Sequence, residues 1–479
     1  MNKFTTIAAA LALSAGAAWA QQSAPGQSNQ VIQPDQASQA KPELLTPEQQ
    51  LAKLTNRATA KVVYRGATLI AGNGQPARAD MAIVVDGERI AAIVPAAQLD
   101  AALTKGAEMV DVGSSYVLPG LIDSHVHYAT HPDRAYAEAE LKRDLYAGIT
   151  GVRDMAGDAR LLGDLSRAAM INELAAPDIF YASLVAGPSF FQDPRTVTSS
   201  LGMGPGQAPW MYAVTDKTDI ALAVAQARGT GATGLKIYAN LPGPLVRKLV
   251  AEAKRQHFPV WTHMQVYPAT PYDSLGATTV SHVCMIARYV REPNKVQYGH
   301  RDEPSYEGLD ANDAGIRRYV AALAKSGTIL DATLSVYQPA AEIAEKKAAH
   351  PHCARELAAA ITRAAHAAGV TIIAGTDENA TADDPLPQLF RELDMLVHDG
   401  GLSPQEAIAA ATSNAARALG KDKEFGTLEV GKLANLVFVK NDPLQDVANL
   451  RSVMLTVKRG VRYAREDYHH APIPVHDDI

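Results

Sequence analysis

The chain has 479 residues, 47% of them hydrophobic, enough to bury one large core and more than a single domain usually needs. Its formal charge of −6 is spread without any lysine or arginine block, which excludes the footprint of a nucleic-acid or anionic-membrane binder and favours a small-molecule or dipeptide-like partner. With only two cysteines, Cys284 and Cys353, no disulfide framework is available; a single bridge stays open, and two buried thiols are expected.

The N-terminus, "MNKFTTIAAALALSAGAAWAQQ", places Lys3 before an Ala/Leu-rich run and a small-x-small Ala18-Trp19-Ala20. That is the pattern of a cleavable signal peptide, residues 1–20, and predicts export to a periplasm or beyond. Residues 21–57 begin rich in Gln, Ser and Pro and read as a disordered leader. From Lys61, short alternating runs such as "KVVYRGATLI" and "MAIVVDGERIAAIV" predict strands, with Asp86-Gly87 as a hairpin turn. The C-terminal runs "GTLEVGKLANLVFVKN" and "RSVMLTVKRGVRYA" have the same character, so residues 58–117 and 420–468 are expected to form one composite β domain. No later run reaches the ~18 apolar residues of a spanning helix, so no membrane span is predicted; self-association is left open.

Between those ends, residues 118–419 alternate strand-like runs with helical stretches. The runs are "GLIDSHVH", "GITGVRDM", "IFYASLVAG", "TGLKIYAN", "FPVWTHM", "TTVSHV", "TILDATL" and "VTIIAGTD". Stretches such as "GPLVRKLVAEAKRQH" carry apolar residues at helical spacing. Eight such repeats predict an α/β fold, a (β/α)₈ TIM barrel, with a doubly wound open sheet as the alternative.

A barrel of this kind does its chemistry at the C-terminal ends of its strands. His125 and His127 end the first, and because residues two apart in a strand share a face, their imidazoles project together. Such a pair alone is equally a metal site or two polar residues at a strand end. Lys236 ends the fourth strand, His263 the fifth, His282 the sixth and Asp377 the eighth. Six ligand-type residues at equivalent positions favour a metal centre. His131, His257, His366 and His398 lie off the strand ends, and "HPHC" around His350 imitates a metal motif; all are read as structural or solvated.

In "GLIDSHVH", "GATGLKIYAN", "AGTDEN" and the tail "SPQEAIAAATSNAARALG" the chain resembles the amidohydrolase superfamily of metal-dependent hydrolases, over nearly everything after the leader. The resemblance implies a distorted barrel flanked by a composite β-sandwich. It also implies two divalent metals: His125, His127 and Asp377 on one, His263 and His282 on the other, and a carbamylated Lys236 bridging them. A protonated lysine would repel the cations, so carbamate formation makes sense of its place; one metal held by histidines is the alternative. Zinc suits these ligands, although manganese, cobalt or iron fit the same cage. The implied reaction is hydrolysis of an amide C–N bond by a metal-bridged hydroxide, with Asp377 passing its proton to the leaving nitrogen.

Specificity is expected in the loops after the strands. Tyr238, two residues after Lys236, is a candidate for the oxyanion or the substrate. Arg288, Tyr289 and Arg291 in "MIARYVRE" are candidate clamps for a substrate carboxylate. The stretch "SFFQDPRTVTSSLGMGPGQAPWMY" reads as a lid, and "AGPSFF" stands where imidazolonepropionase-like relatives often carry Gly-Gly-His. The favoured substrates are dipeptides, as for Xaa-Pro dipeptidases, or N-acyl amino acids. A cyclic amide, lactam or lactone is the alternative, and a periplasmic metal- or solute-binding protein the non-enzymatic one.

Overall fold

The structure, a computed structural model, describes residues 57–291, 306–345, 353–377 and 383–470; the expected signal, the leader up to residue 56, and His350 lie outside them. Two sheets organise these residues, one closed on itself and one built from both ends of the chain.

The barrel comprises β6 (Leu121–Val126), β7 (Ile149–Asp154), β8 (Asp178–Ala186), β11 (Gly234–Ile237), β12 (Val260–His263), β13 (Thr279–Ser281), β14 (Ile329–Asp331) and β15 (Ile372–Ile373). Each pairs in parallel with the next, the register running through Leu121↔Ile149, Gly151↔Asp178, Gly234↔Ala182, Leu235↔Val260, Trp261↔Thr279, Thr279↔Ile329 and Leu330↔Ile372. Ser124 N–H donates to the Ala374 carbonyl (2.9 Å) and Asp377 N–H to that of His125 (2.8 Å), which brings the last strand back to the first. Every residue of β6, β7 and β8 is buried, because helices cover the outside and side chains fill the inside; such strands read as near-continuous apolar runs. Four of the longer helices start behind aspartates. Asp133, Asp158, Asp219 and Asp313 each accept a hydrogen bond from a first-turn N–H otherwise left without a partner. The lid stretch folds as a short helix, Pro194–Ser199, and a hairpin of β9 (Gln207–Ala208) and β10 (Met211–Ala213) that pairs with β8.

The second sheet contains β1 (Lys61–Leu69), β2 (Arg78–Asp86), β3 (Arg89–Pro95), β4 (Glu108–Asp111), β5 (Tyr116–Pro119), β16 (Leu436–Val439), β17 (Val453–Lys458) and β18 (Val461–Ala464). Its order is β18-β17-β16-β5-β1-β2-β3, with β4 also on β1. The chain ends meet where Leu436 pairs with Pro119, and only Gly120 separates β5 from β6 of the barrel. Period-two alternation lets β16 serve both cores: Leu436 and Phe438 join the sheet's cluster, Val437 and Val439 the barrel's.

The cysteines correct one expectation. Cys284 and Cys353, with Cα atoms 6.1 Å apart, form a disulfide that ties the turn after β13 to the start of the helix Arg355–Ala367. Both are buried, but burial suits a thiol and a bridge alike, and a sequence separation of 69 carries no information about pairing. Among the described residues no helix is long and apolar enough to cross a membrane.

Candidate metal centre

The C-terminal ends of the barrel strands surround a cavity of about 260 Å³. His125, His127, His263, His282, Asp377 and Tyr238 line it. Lys236 is fully buried beside them, its Nζ 5.5 Å from the centre of the Tyr238 ring. The rings of His125 and His127 lie 5.3 Å apart, those of His125 and His282 5.0 Å, and those of His263 and His282 4.6 Å. One ligand atom each from His125, His282 and Asp377 falls within 4.8 Å of the others, a trio that crosses the implied division into two ligand groups. Asp377 Oδ1 also lies 3.3 Å from His125 Nε2 and 3.2 Å from His127 Nε2.

Backbone conformation delivers two of these side chains. His282 (φ 72°) and Asp377 (φ 51°) take the left-handed region, which costs a non-glycine residue energy and persists where the surroundings impose it. A Cβ on Gly375 would fall on Asp331 Oδ1 and His125 Cβ, so the chain reaches Asp377 past His125 only through a glycine.

The residues fit a cation. His127 Nδ1 faces the Ala156 carbonyl (3.3 Å), His263 Nδ1 the Met264 carbonyl (2.9 Å) and His125 Nδ1 the Asp331 carboxylate (2.7 Å), none of which can donate. His282 Nδ1 faces Thr333 Oγ1 (3.1 Å), whose proton goes to the Ala332 carbonyl (2.8 Å). His125, His263 and His282 therefore carry their proton on Nδ1 and present Nε2 as a lone pair, the form that binds metals, whereas His127 faces an acceptor at each nitrogen, with Asp377 Oδ1 3.2 Å from its Nε2, and takes that form when a cation displaces the Nε2 proton. His125 Nε2 and Lys236 Nζ are buried polar atoms without a hydrogen-bond partner, which a metal or a carbamate would supply.

Electrostatics agree for His125, His263 and His282. Burial, with the Lys236 charge, lowers His263 to about 3; burial above all holds His125 and His282 well below the ordinary histidine value. Burial also lowers His127, but the Asp377 carboxylate outweighs it and raises the group. Burial works to raise Asp377, and the imidazoles of His125 and His127 outweigh it, leaving the carboxyl below its usual range. Lys236 is pushed down to about 7, chiefly by burial.

The substrate candidates divide. Tyr238 stacks on His263 (4.7 Å) and Phe190 (4.5 Å) in the cavity wall, and Gln265 Nε2 donates both to its carbonyl and to that of His263 (2.9 Å). Arg288, Tyr289 and Arg291 do not reach the wall. Arg288 is buried near enough to His263 to lower it, Tyr289 packs edge-on against Tyr272 (6.2 Å), and Arg291 donates to the Glu307 carbonyl. Their helix, Met285–Arg291, contributes Met285 instead. The guanidinium that lines the cavity is Arg195, from the lid stretch, braced by Asp193 at 2.7 Å and accompanied by Phe190 and Met211. Asp331, Arg153, Gln265 and Arg195 were not singled out in the sequence. Asp331 carried a signal, because "TILDATL" ends its strand in a ligand-type residue as the others do. Arg195 carried none.

The sequence pattern of the amidohydrolase family matches residues 116–462, and the chain belongs to that family. It is a hydrolase of that superfamily. An imidazolonepropionase of Maricaulis maris (strain MCS10) is 27% identical over 409 residues, 78% of this chain and 90% of that protein. An ochratoxinase of Aspergillus niger is 26% identical over 448 residues, 82% of this chain and 84% of its own length. A solved Xaa-Pro dipeptidase with bound methionine in its active site shares the fold, with a TM-score of 0.64 at 21% identity over 85% of this chain and 100% of its own.

Proposed function

We propose that this amidohydrolase is an exported, metal-dependent enzyme that cleaves the amide C–N bond of dipeptides or N-acyl amino acids. The observation that carries the reading is the convergence of four imidazoles and Asp377 on one cavity, with the buried amine of Lys236 beside them. Two divalent cations, for which zinc suits the donors, would supply a water acidic enough to ionise at neutral pH and a Lewis acid for the scissile carbonyl. His125, His127, His263, His282, Asp377 and a carbamylated Lys236 would hold them.

The protein's own groups do the rest. The Asp377 carboxylate takes the proton of the attacking water and returns it to the leaving nitrogen, which departs poorly as an anion. The Tyr238 hydroxyl, on a ring fixed between His263 and Phe190, donates to the oxygen that gains charge. Met155, Leu184 and Met211 offer apolar contact for the acyl or N-terminal side chain. Arg195 binds the free carboxylate, the role first sought in Arg288 and Arg291.

The names ochratoxinase and Xaa-Pro dipeptidase among its relatives support a small-molecule or dipeptide substrate. Export is supported by the N-terminal signal pattern and by the Cys284–Cys353 bridge, since disulfides persist in oxidising compartments.

The test is a library of N-acyl amino acids and dipeptides, each with its C-terminal amide, alongside lactams and lactones. The expected enzyme carries about two metals, loses activity to chelators, and cleaves acids roughly 10- to 100-fold better than amides, a gap that Arg195→Gln closes. Activity in metal-free protein, or preference for the cyclic substrates, sinks the proposal.

A further inference from the structure

Strand β14 contributes none of the six residues that line or approach the cation positions, yet its end touches two of them. Asp331, fully buried, accepts on Oδ2 from His125 Nδ1 (2.7 Å), Arg153 Nη2 (2.9 Å) and Ser281 Oγ (2.9 Å). Its main-chain carbonyl accepts the N–H of His282 (3.0 Å). Two residues further, Thr333 (φ 50°) holds His282 Nδ1. The side chain of one residue thus orients the first histidine of the centre, and its backbone orients the last.

We propose that Asp331 is the positioning residue that couples the two halves of the metal centre, fixing His125 through its carboxylate and His282 through its carbonyl. The inference rests on the metal-centre reading above.

Arg153 completes the device. It is fully buried beneath the centre, donates to the Ser124 carbonyl and to Thr279 Oγ1 (3.1 Å), and lies over the Trp261 ring (5.1 Å). The pair therefore spans β6, β7, β12, β13 and β14. Arg153 also cancels the charge of Asp331, so the carboxylate orients His125 without adding a net charge below the cations. A carboxylate on the far nitrogen of a ligating imidazole fixes its tautomer and direction, and its removal typically costs 10- to 100-fold in metal affinity.

Removing Asp331 alone would strand a buried guanidinium, which is destabilising in itself. The test is therefore the neutral double variant Asp331→Ala/Arg153→Met in the full chain, with zinc as the probe and affinity read by competition with a chelator at 25 °C. Expected are a far-ultraviolet circular dichroism spectrum like the wild type's, zinc binding weaker by roughly 10- to 100-fold, and altered d–d absorption after loading with cobalt(II). At saturating zinc, kcat falls and KM stays. Asp331→Asn/Arg153→Met, which restores an acceptor for His125 Nδ1, recovers part of the affinity. A folded alanine double variant that binds zinc within about twofold of the wild type overturns the inference while leaving the metal-centre reading intact, whereas a wild-type protein that binds no zinc, cobalt or manganese removes both. Should the alanine variant not fold, the asparagine variant is read alone: zinc binding weakened at least about threefold supports the coupling, and unchanged binding overturns it.

Discussion

The mouth of the barrel and the centre of the terminal sheet are differently built. Among the described residues nine non-glycine positions take positive φ, and five of them, Ala156, Asn240, His282, Thr333 and Asp377, stand just past barrel strands. The same rim holds His125 Nε2 and Lys236 Nζ without hydrogen-bond partners. The sheet's centre is Leu69, Ile83, Leu436, Phe438 and Val457, with the Tyr64 ring 5.1 Å from that of Phe438. One region concentrates left-handed backbone and ligand-type side chains, and the other packs apolar surface. Strain of this kind survives only on a scaffold that over-determines it.

The comparison is broken most directly at Asp377. Replacing it by Asn, which tolerates left-handed backbone, is expected to cut turnover by about 10⁴-fold, the upper end for a lost proton carrier, and to leave the thermal midpoint of metal-free protein unchanged or higher. A large fall in that midpoint would mean that the mouth also holds the fold together. Phe438→Ala addresses the other side. Its cavity should lower stability by about 3–5 kcal/mol in denaturant titrations, while kcat of the folded fraction stays at the wild-type level. If turnover fell in step with stability, the regions would not be separable. Arg462→Ala is the smallest change. Its exposed pair with Glu108 (2.8 and 2.9 Å) should be worth less than about 1 kcal/mol and leave activity untouched, sharpening the contrast between the sheet's interior and its surface.

All eight barrel strands were legible in the sequence, because strands buried on both faces must be largely apolar along their length, and most of them here run into a polar residue at the C-terminal end. The six candidate ligands were legible for the same reason: their spacing follows the repeat. Local rules ended where packing took over. "TILDATL" showed Asp331, but its contact with His125 crosses 206 residues of chain. Arg195 sits in a Gly/Pro-containing stretch whose hairpin follows from pairing with β8 and whose six-residue helix is too short to show periodicity. The arginines of "MIARYVRE" looked equally available, and their helix presents Met285 to the cavity instead. The cysteine pairing was invisible because burial does not distinguish a thiol from a bridge.

The position of β16 bears on how the chain assembles over time. It lies at the middle of its sheet, against β5, which leads through Gly120 into the strand of His125 and His127. A chain emerging from its N-terminus makes β1 to β6 early and must wait for almost the whole remaining polypeptide before β5 gains its second neighbour. Contacts between such distant segments form slowly, because loop closure comes before any reward. The first half of the catalytic barrel therefore spends synthesis with an open strand edge beside its own histidines, and trimming the last fifty residues would remove a central strand rather than a tail.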